Sequence, residues 1–510
     1  MLFSEKTNYV LIVVFIILSL LLLFNHEPWR DEAQAWLTAR DNPNISSIIN
    51  QMGYEGTPAL QHLILFPLAK LGLPYFSMAI LNFLFMFCSL IIVIIYAPFS
   101  KFQKVLFAFG YYIFYEYNVI ARSYAISILF LFLIALIYKE RFRKFALYPL
   151  LLVLLGNTNV HSLVIAVVLS SVYVFELKFQ EDISIKRGCI ASSIIFLGIL
   201  VSIYQLWPPS DLLSFYGRWN FDLSLSHFVV LPNVVIGAFM PIPELVIHFW
   251  NTKLVSYHMS FYTPKYLSIF GLLLFLVTLI FFVRKPKPMF IYLVSSIGLF
   301  GIFFFKYAGA LRHHGLIFIV FITSLWIANN YEDKLFVNSR LIRRLLNQKV
   351  LTSLFIFLLS CQMIASPIAF YYELKYDFSA GKRTANFLKD EGLINKDTLI
   401  VTWRSYAESA ILPYLPKPYS KFYYLEYNDF GSFLVWKQAF STLRFMSIEE
   451  IVDTIDDLVE NEHYSKVLFI FNTKVEGEKK FAERYDLIAY FNKTIVKDES
   501  FYIYELKIPD

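Results

Sequence analysis

Residues 9–37 read YVLIVVFIILSLLLLFNHEPWRDEAQAWL. The first half, Tyr9 to Phe24, is continuous apolar chain, close to the roughly 20 residues that cross a bilayer as a helix. The second half turns polar and sets two adjacent carboxylates, Asp31 and Glu32, just beyond that helix. Asn25-His26-Glu27-Pro28-Trp29-Arg30 offers no small-x-small cleavage site, and Lys6 alone makes a weak basic n-region. The segment therefore reads as a retained first span rather than a removed secretory signal.

Composition extends this reading to the whole chain. Of 510 residues, 57% are hydrophobic and only 16% are charged, against about 25% charged in a soluble domain. Mean hydropathy is +0.56. The net charge of +6 is mild and no basic tract points to nucleic acid. Cys88, Cys189 and Cys361 lie in or beside apolar blocks without a Cys-x-x-Cys pair, so they read as buried thiols rather than disulfides or zinc ligands.

The apolar blocks give about eleven spans: 8–24, 75–97, 104–117, 120–138, 145–159, 161–177, 189–206, 266–283, 288–305, 314–330 and 350–370. With the N-terminus in the cytoplasm, the cytoplasmic segments collect the cations, as in Lys139, Arg141, Arg143 and Lys144 or Arg284, Lys285 and Lys287. Lys334, Arg340, Arg343 and Arg344 fall on the same side, whereas the longer outer segments hold fewer, among them Arg30, Arg218 and Lys253. This asymmetry follows the positive-inside rule and suits a plasma (inner) membrane protein. Two outer segments are long, 25–74 and 207–265. An odd number of spans puts the C-terminal region outside.

That region, 372–510, is expected to be a small soluble α/β domain, separate from a membrane domain over 1–371. Ser379 to Leu393 reads as an amphipathic helix, and Thr398 to Trp403, Lys466 to Phe471 and Ser500 to Ile508 as strands. Ser447-Ile448-Glu449-Glu450 is a capping box opening a further helix.

The first outer loop carries the most chemistry. Ala33 to Ala39 reads as a short helix with Trp36 as anchor; Asp31 either caps it or serves as a carboxylate base at the membrane surface. Ile45, Ile48, Ile49 and Met52 make an apolar stripe at helical spacing. Gly56 and Pro58 mark a turn before a second interfacial or re-entrant helix containing His62. Glu55 is either a turn-exposed carboxylate or a ligand for acceptor or metal. Farther on, Arg122, Tyr124, Asn159, His161, Lys306, Arg312, His313 and His314 all fall at the outer ends of spans. Each has a bland reading as well: Arg122 snorkelling, Arg312 paired with Glu116, the histidines as packing groups, Asn159 as a helix-end cap. Charge at membrane depth is costly and usually functional, which raises Arg122 and Arg312 above background.

The order of these features resembles the GT-C superfamily of glycosyltransferases, particularly the protein O-mannosyltransferase and aminoarabinose-transferase-like enzymes. The resemblance covers the architecture; its residues are Arg30-Asp31-Glu32, Glu55-Gly56-Thr57-Pro58, Ala121-Arg122-Ser123-Tyr124 and Arg312-His313-His314-Gly315. Thr57-Pro58-Ala59-Leu60 departs from the paired prolines common in such loops. The resemblance implies a polyprenyl-phosphate sugar donor, an extracytoplasmic glycan, lipid or protein acceptor, and inverting transfer in one step. Asp31 is then the expected base with Glu32 supporting it. Arg122, Lys306, Arg312, His313 and His314 are expected to hold the donor phosphate, and Glu55, His62, Tyr124, Asn159 and His161 to contact acceptor or substrate. A divalent metal is possible, although no His-x-x-x-His or Asp-x-Asp spacing argues for one. The competing classes are a transporter or flippase for a lipid-linked sugar, disfavoured by the lack of an internal repeat, and a non-catalytic assembly protein.

Overall fold

The computed structural model describes all residues except 1, 182, 213–218, 225–226, 257–263, 334–345, 404, 438–446, 462–463, 477–478 and 508–510. Lys334, Arg340, Arg343, Arg344 and Arg218 of the charge argument lie outside the described residues, as does the Lys6 side chain.

Helix α1 (Leu2–Asn25) is followed by three short helices: α2 (Arg30–Asp41), α3 (Ile45–Glu55) and α4 (Leu60–Lys70). Asn44 starts α3 by accepting the Ser47 N–H at 2.9 Å, and Gly56 ends it at φ 62°, a conformation that favours glycine. The expected turn and both short helices are therefore present. Next come α5 (Phe76–Tyr96), α6 (Lys101–Ala108), α7 (Tyr124–Ile137), α8 (Leu147–Gly156), α9 (Val160–Leu177) and α10 (Ile185–Leu206). The remaining bundle helices are α11 (Val230–Phe239), α12 (Pro264–Ile280), α13 (Pro286–Phe305), α14 (Leu311–Ala328) and α15 (Gln348–Lys375).

Among the described residues, seven helices are long and apolar enough to cross a membrane: Asn8–Asn25, α5, α9, α10, α13, α14 and α15. A polytopic membrane architecture accommodates them. Four of the expected spans have a different form, among them 266–283, whose helix α12 ends at Ile280 and is shorter than the seven. The stretch 104–117 is split into α6 and a π-helical turn at Tyr112–Glu116, the kind of irregularity often found at functional sites. At the break, a Cβ on Gly110 would lie 3.1 Å from Gln362 Cβ. The stretch 145–159 forms only the ten residues of α8. The start of 120–138 stays non-helical until Tyr124. Conversely, the outer segment 207–265 contains α11, whose Val234, Ile236 and Phe239 are fully buried. Cys361 is buried, but Cys88 and Cys189 face outward from α5 and α10. The outward surface of a span meets lipid, where a thiol behaves as a small apolar group.

After α15 the chain builds the expected α/β unit. Helix α16 (Gly381–Asp390) precedes β1 (Thr398–Thr402), β2 (Phe422–Tyr424) and β3 (Asp429–Gly431). Then come α17 (Ile448–Asn461), β4 (Lys466–Phe471), α18 (Lys479–Arg484), β5 (Tyr485–Phe491) and β6 (Phe501–Leu506). The sheet order is β3-β2-β1-β4-β6-β5, with β1 parallel to both β2 and β4. The capping box forms: Glu450 accepts the Ser447 N–H at 2.7 Å, and Ser447 Oγ accepts the Glu450 N–H at 3.2 Å. Helix α2 joins this unit. Its Ala33, Trp36 and Leu37 share one hydrophobic cluster with Ile411, Phe422 and Ile503. Each large apolar side chain so buried contributes about 1.5–3 kcal/mol, which holds α2 against the sheet domain.

Candidate functional site

The site begins where α1 ends. Glu32, in the first turn of α2, is fully buried. Its Oε2 accepts the Trp29 N–H at 3.1 Å and its Oε1 accepts the Ala121 N–H at 2.6 Å. His26 Nε2 lies 3.1 Å from Glu32 and His26 Nδ1 lies 2.8 Å from Glu373. The Tyr115 hydroxyl donates to the other oxygen of Glu373 at 2.6 Å. Burial alone would lower the His26 pKa, but Glu32 and Glu373 outweigh it and push the value up to about 10. His26 is therefore an imidazolium at neutral pH, donating to both carboxylates. Glu32 thus ties α1, α2, α15 and the 120–123 turn together. It does not line the cavity described next, so its geometry is that of a positioning group.

Asp31, one residue earlier, faces the other way. Its Oδ2 sits 3.6 Å from Arg122 Nη1 and 3.4 Å from Arg312 Nη2. Arg122 Nη1 also donates to the Asp31 carbonyl at 2.5 Å. Burial pushes the Asp31 carboxyl up, yet Arg122, Arg312 and Arg30 together hold it below the usual carboxylate range. Its side chain remains 31% exposed, so a ligand has access to the ionised group. Arg312 is not paired with Glu116. The latter accepts from the Tyr111 hydroxyl and Trp250 Nε1, while the Arg312 guanidinium lies against the rings of Trp29 and Trp250, 5.0 and 5.5 Å from their centroids. Gly315 lets the Tyr112 and Tyr117 rings press against the first turns of α14, and the Tyr117 hydroxyl donates to the Arg312 carbonyl at 2.7 Å. Both arginines keep a buried Nε with no hydrogen-bond partner among the described residues. Such groups are costly unless satisfied by a ligand or water.

Asp31 and Arg122 line a cavity of about 130 Å³, which also takes in Glu55, His62, Tyr124, Asn159, His161 and His313. A single water needs only about 10–15 Å³, so the space suits a larger polar ligand. The wall away from the arginines is neutral and hydrogen-bonding. His161 Nε2 lies 2.8 Å from the Tyr307 hydroxyl, and the His161 and His313 rings stack at 5.0 Å. Burial first, and Arg122 second, pull His62 down to about 3, so it is neutral. Both His62 Nδ1 and His161 Nδ1 are buried without partners among the described residues. Asn159 does cap α9, accepting the Ser162 N–H at 2.9 Å, while still lining the cavity. Glu55 accepts from Gln34 Nε2 at 2.7 Å. Its burial outweighs the hydrogen bonds from Gln34 and Gln51 and pushes its pKa up to about 7.

Of the five expected phosphate ligands, Arg122 and His313 line the cavity, Arg312 meets it only through Asp31, and two lie elsewhere. The Lys306 ammonium sits over the Trp219 ring at 5.5 Å and does not line the cavity. His314 Nε2 lies 2.9 Å from the Ala308 carbonyl, and its ring packs so close to Gly237 that a Cβ there would be 2.6 Å from Nδ1. His314 is thus a contact between α14 and α11. The structure adds residues that loop reading passed over: Trp29, Trp250, His26 and Tyr307. Trp29 stood in the opening motif, but nothing in one dimension pairs it with Trp250. Among the described residues no group of three or more His, Cys, Asp or Glu is arranged to hold a metal ion. No protein-family model, curated protein or solved structure matches the chain, so the chemistry of the cavity rests on its own residues.

Proposed function

We propose that the protein is a membrane glycosyltransferase of the GT-C kind, moving a sugar from a polyprenyl-phosphate donor to an acceptor outside the cytoplasm. The observation that carries this reading is the ionised Asp31 held between Arg122 and Arg312 at the edge of a neutral, hydrogen-bonding cavity. The donor phosphate docks on the two guanidinium groups, whose planar forks suit phosphate oxygens. The sugar occupies the cavity among His62, Tyr124, Asn159 and His161. An acceptor hydroxyl attacks the face of the anomeric carbon opposite the phosphate. The new carbon–oxygen bond forms as the bond to the phosphate oxygen breaks, the phosphate leaves with the electron pair, and the hydroxyl proton passes to Asp31. The arginines stabilise charge that grows on the departing phosphate.

The same contacts support Asp31 as base. Arg122 and Arg312, with Arg30, depress its basicity; once the first two engage a phosphate, their charge is shared and Asp31 becomes more basic. The test is Asp31→Asn in the purified full chain, assayed with polyprenyl-phosphate sugars and checked for unchanged thermal unfolding. Transfer is expected to fall by about 10²–10⁴-fold, the range for a lost general base. A folded variant with full transfer activity would remove Asp31 from the chemistry.

A further inference from the structure

Glu32 holds the turn that carries Arg122, and a second buried carboxylate stands behind Arg312. Glu116 ends the π-helical turn Tyr112–Glu116 and is buried. One of its oxygens, Oε2, accepts the Tyr111 hydroxyl at 2.7 Å and Trp250 Nε1 at 3.1 Å. The other, Oε1, is buried without a partner among the described residues. Trp250 in turn meets the Trp29 ring edge-on, with centroids 4.7 Å apart, and both rings carry the Arg312 guanidinium. The corner after Trp250 is tied to the same helix: Asn251, at φ 65°, accepts the Leu311 N–H through its Oδ1 at 3.2 Å. Tyr117, the residue after Glu116, donates to the Arg312 carbonyl. This turn therefore reaches Arg312 twice, through the Trp250 ring and through the Arg312 backbone, without an ion pair between Glu116 and Arg312.

We propose that Glu116 is a positioning residue for the phosphate site: through the Trp250 indole it fixes the direction of the Arg312 guanidinium beside Asp31. The proposal rests on the donor reading above and adds what holds the second cation of that site in place. A flat ring packed only against other rings can slide or flip, whereas a hydrogen bond from its single donor sets its orientation. Arg312 calls for such support. Its Nε is buried and unpartnered among the described residues, and its ion pair with Asp31 is long, at 3.4 Å. The carboxylate adds more than a hydrogen bond. Accepting the indole N–H, it polarises the ring toward a more negative face, which favours the guanidinium lying on it. A carboxylate inside a helix bundle is costly and usually functional, and tying Tyr111 to Trp250 would by itself need no charge.

The experiment measures binding of farnesyl phosphate, a short polyprenyl monophosphate, to the full chain in phosphatidylcholine nanodiscs, with empty nanodiscs as the blank. Glu116→Leu cannot accept from Trp250, and Trp250→Phe keeps a ring but has no N–H. Each is expected to weaken binding about tenfold, the scale of one displaced charge-assisted contact. Glu116→Gln still accepts the indole N–H and should regain most of the affinity; a loss equal to that of Glu116→Leu would overturn orientation by this hydrogen bond. Coupling separates positioning from mere support of the fold. In an Arg312→Lys background, which keeps a charge and so measurable binding, Glu116→Leu should add little. In an Arg122→Lys background its effect should persist. Should Glu116→Leu fail to fold, Trp250→Phe crossed with the same two backgrounds takes its place. Equal weakening in both backgrounds would overturn the proposal, because the residue would then only support the fold. So would a folded Glu116→Leu or Trp250→Phe that binds like wild type. These outcomes leave the proposed function standing. Binding indifferent to both Arg122→Ala and Arg312→Ala would remove the phosphate site, and the proposed function with it.

Discussion

Two carboxylates share one cavity under opposite influences. Asp31 is kept ionised by three arginines, whereas Glu55, mainly through burial, has its pKa pushed up to about 7. A carboxyl whose folded pKa is raised favours the neutral form. The unfolded chain ionises first as pH rises, so Glu55 costs stability progressively from about pH 4.3 to about 7, and the cost then levels off. Thermal unfolding of Glu55→Gln beside wild type should show the wild type losing ground across that window. A difference independent of pH would contradict the buried placement of Glu55. Arg312 gives a second residue-level prediction. Lysine keeps the charge but not the planar group between Trp29 and Trp250. Arg312→Lys should lower transfer about tenfold or more while barely moving the unfolding temperature. Equal activity would mean that only charge matters there. At this scale the sequence shows that charged groups stand at span ends, since such residues are conspicuous against apolar chain. It cannot show which of Asp31 and Glu32 faces the cavity. Neighbours on a helix point about 100° apart, and the phase is set by tertiary contacts, here Ala121 and His26 on Glu32.

At the level of elements, Glu32 is the joint that orients the others. It closes the first turn of α2, holds the Ala121 N–H beside Arg122, and faces the His26 imidazolium. Removing one partner of a buried ion pair costs about 3–5 kcal/mol, because the other charge is left uncompensated. Glu32→Ala should therefore lower stability by about that amount and disturb the Arg122 turn. Glu32→Gln, which keeps a hydrogen-bonding side chain, should lose less. Calorimetry or thermal melts of the two variants check the order, and a smaller loss in the alanine variant would refute the joint. The short helix α3 was legible because its signals are local: a capping Asn44, an apolar stripe and a glycine stop. The broken span at 104–117 and the buried α11 were not. Both depend on partners far along the chain, such as Gln362 against Gly110 and His314 against Gly237, and apolar composition alone does not distinguish a span from a short helix packed inside the bundle. In the sheet domain the buried strands β1 and β4 were readable as apolar runs; edge strand β5 carries an apolar run too, Leu487 to Phe491, but it went unread and only Tyr485 of the strand is buried.

In the whole molecule the sheet domain supports the site from behind, through α2. Arg30, next to Asp31, donates through its backbone N–H and Nη1 to Glu499 at 3.0 and 3.2 Å, and it pairs with Asp498 at 2.9 Å. Four residues on, Gln34 donates to the Leu434 carbonyl and accepts the Leu434 N–H, while the same amide holds Glu55. The sheet domain therefore grips α2 at two points, and α2 carries Asp31. If this grip aligns the site, loosening it should harm chemistry without unfolding the spans. Arg30→Ala removes the ion pairs and one of the charges that keep Asp31 ionised. It is expected to raise hydrogen exchange in α2 and around 496–501, to leave exchange in α9 and α14 unchanged, and to lower transfer. The paired variant Glu499→Gln separates the two effects. It weakens the grip while leaving the Arg30 charge near Asp31, so it should raise exchange in the same segments with a smaller loss of transfer. Were Glu499→Gln to match wild type in exchange while Arg30→Ala did not, Arg30 would act on Asp31 directly, and the sheet domain would pack on α2 without aligning the site.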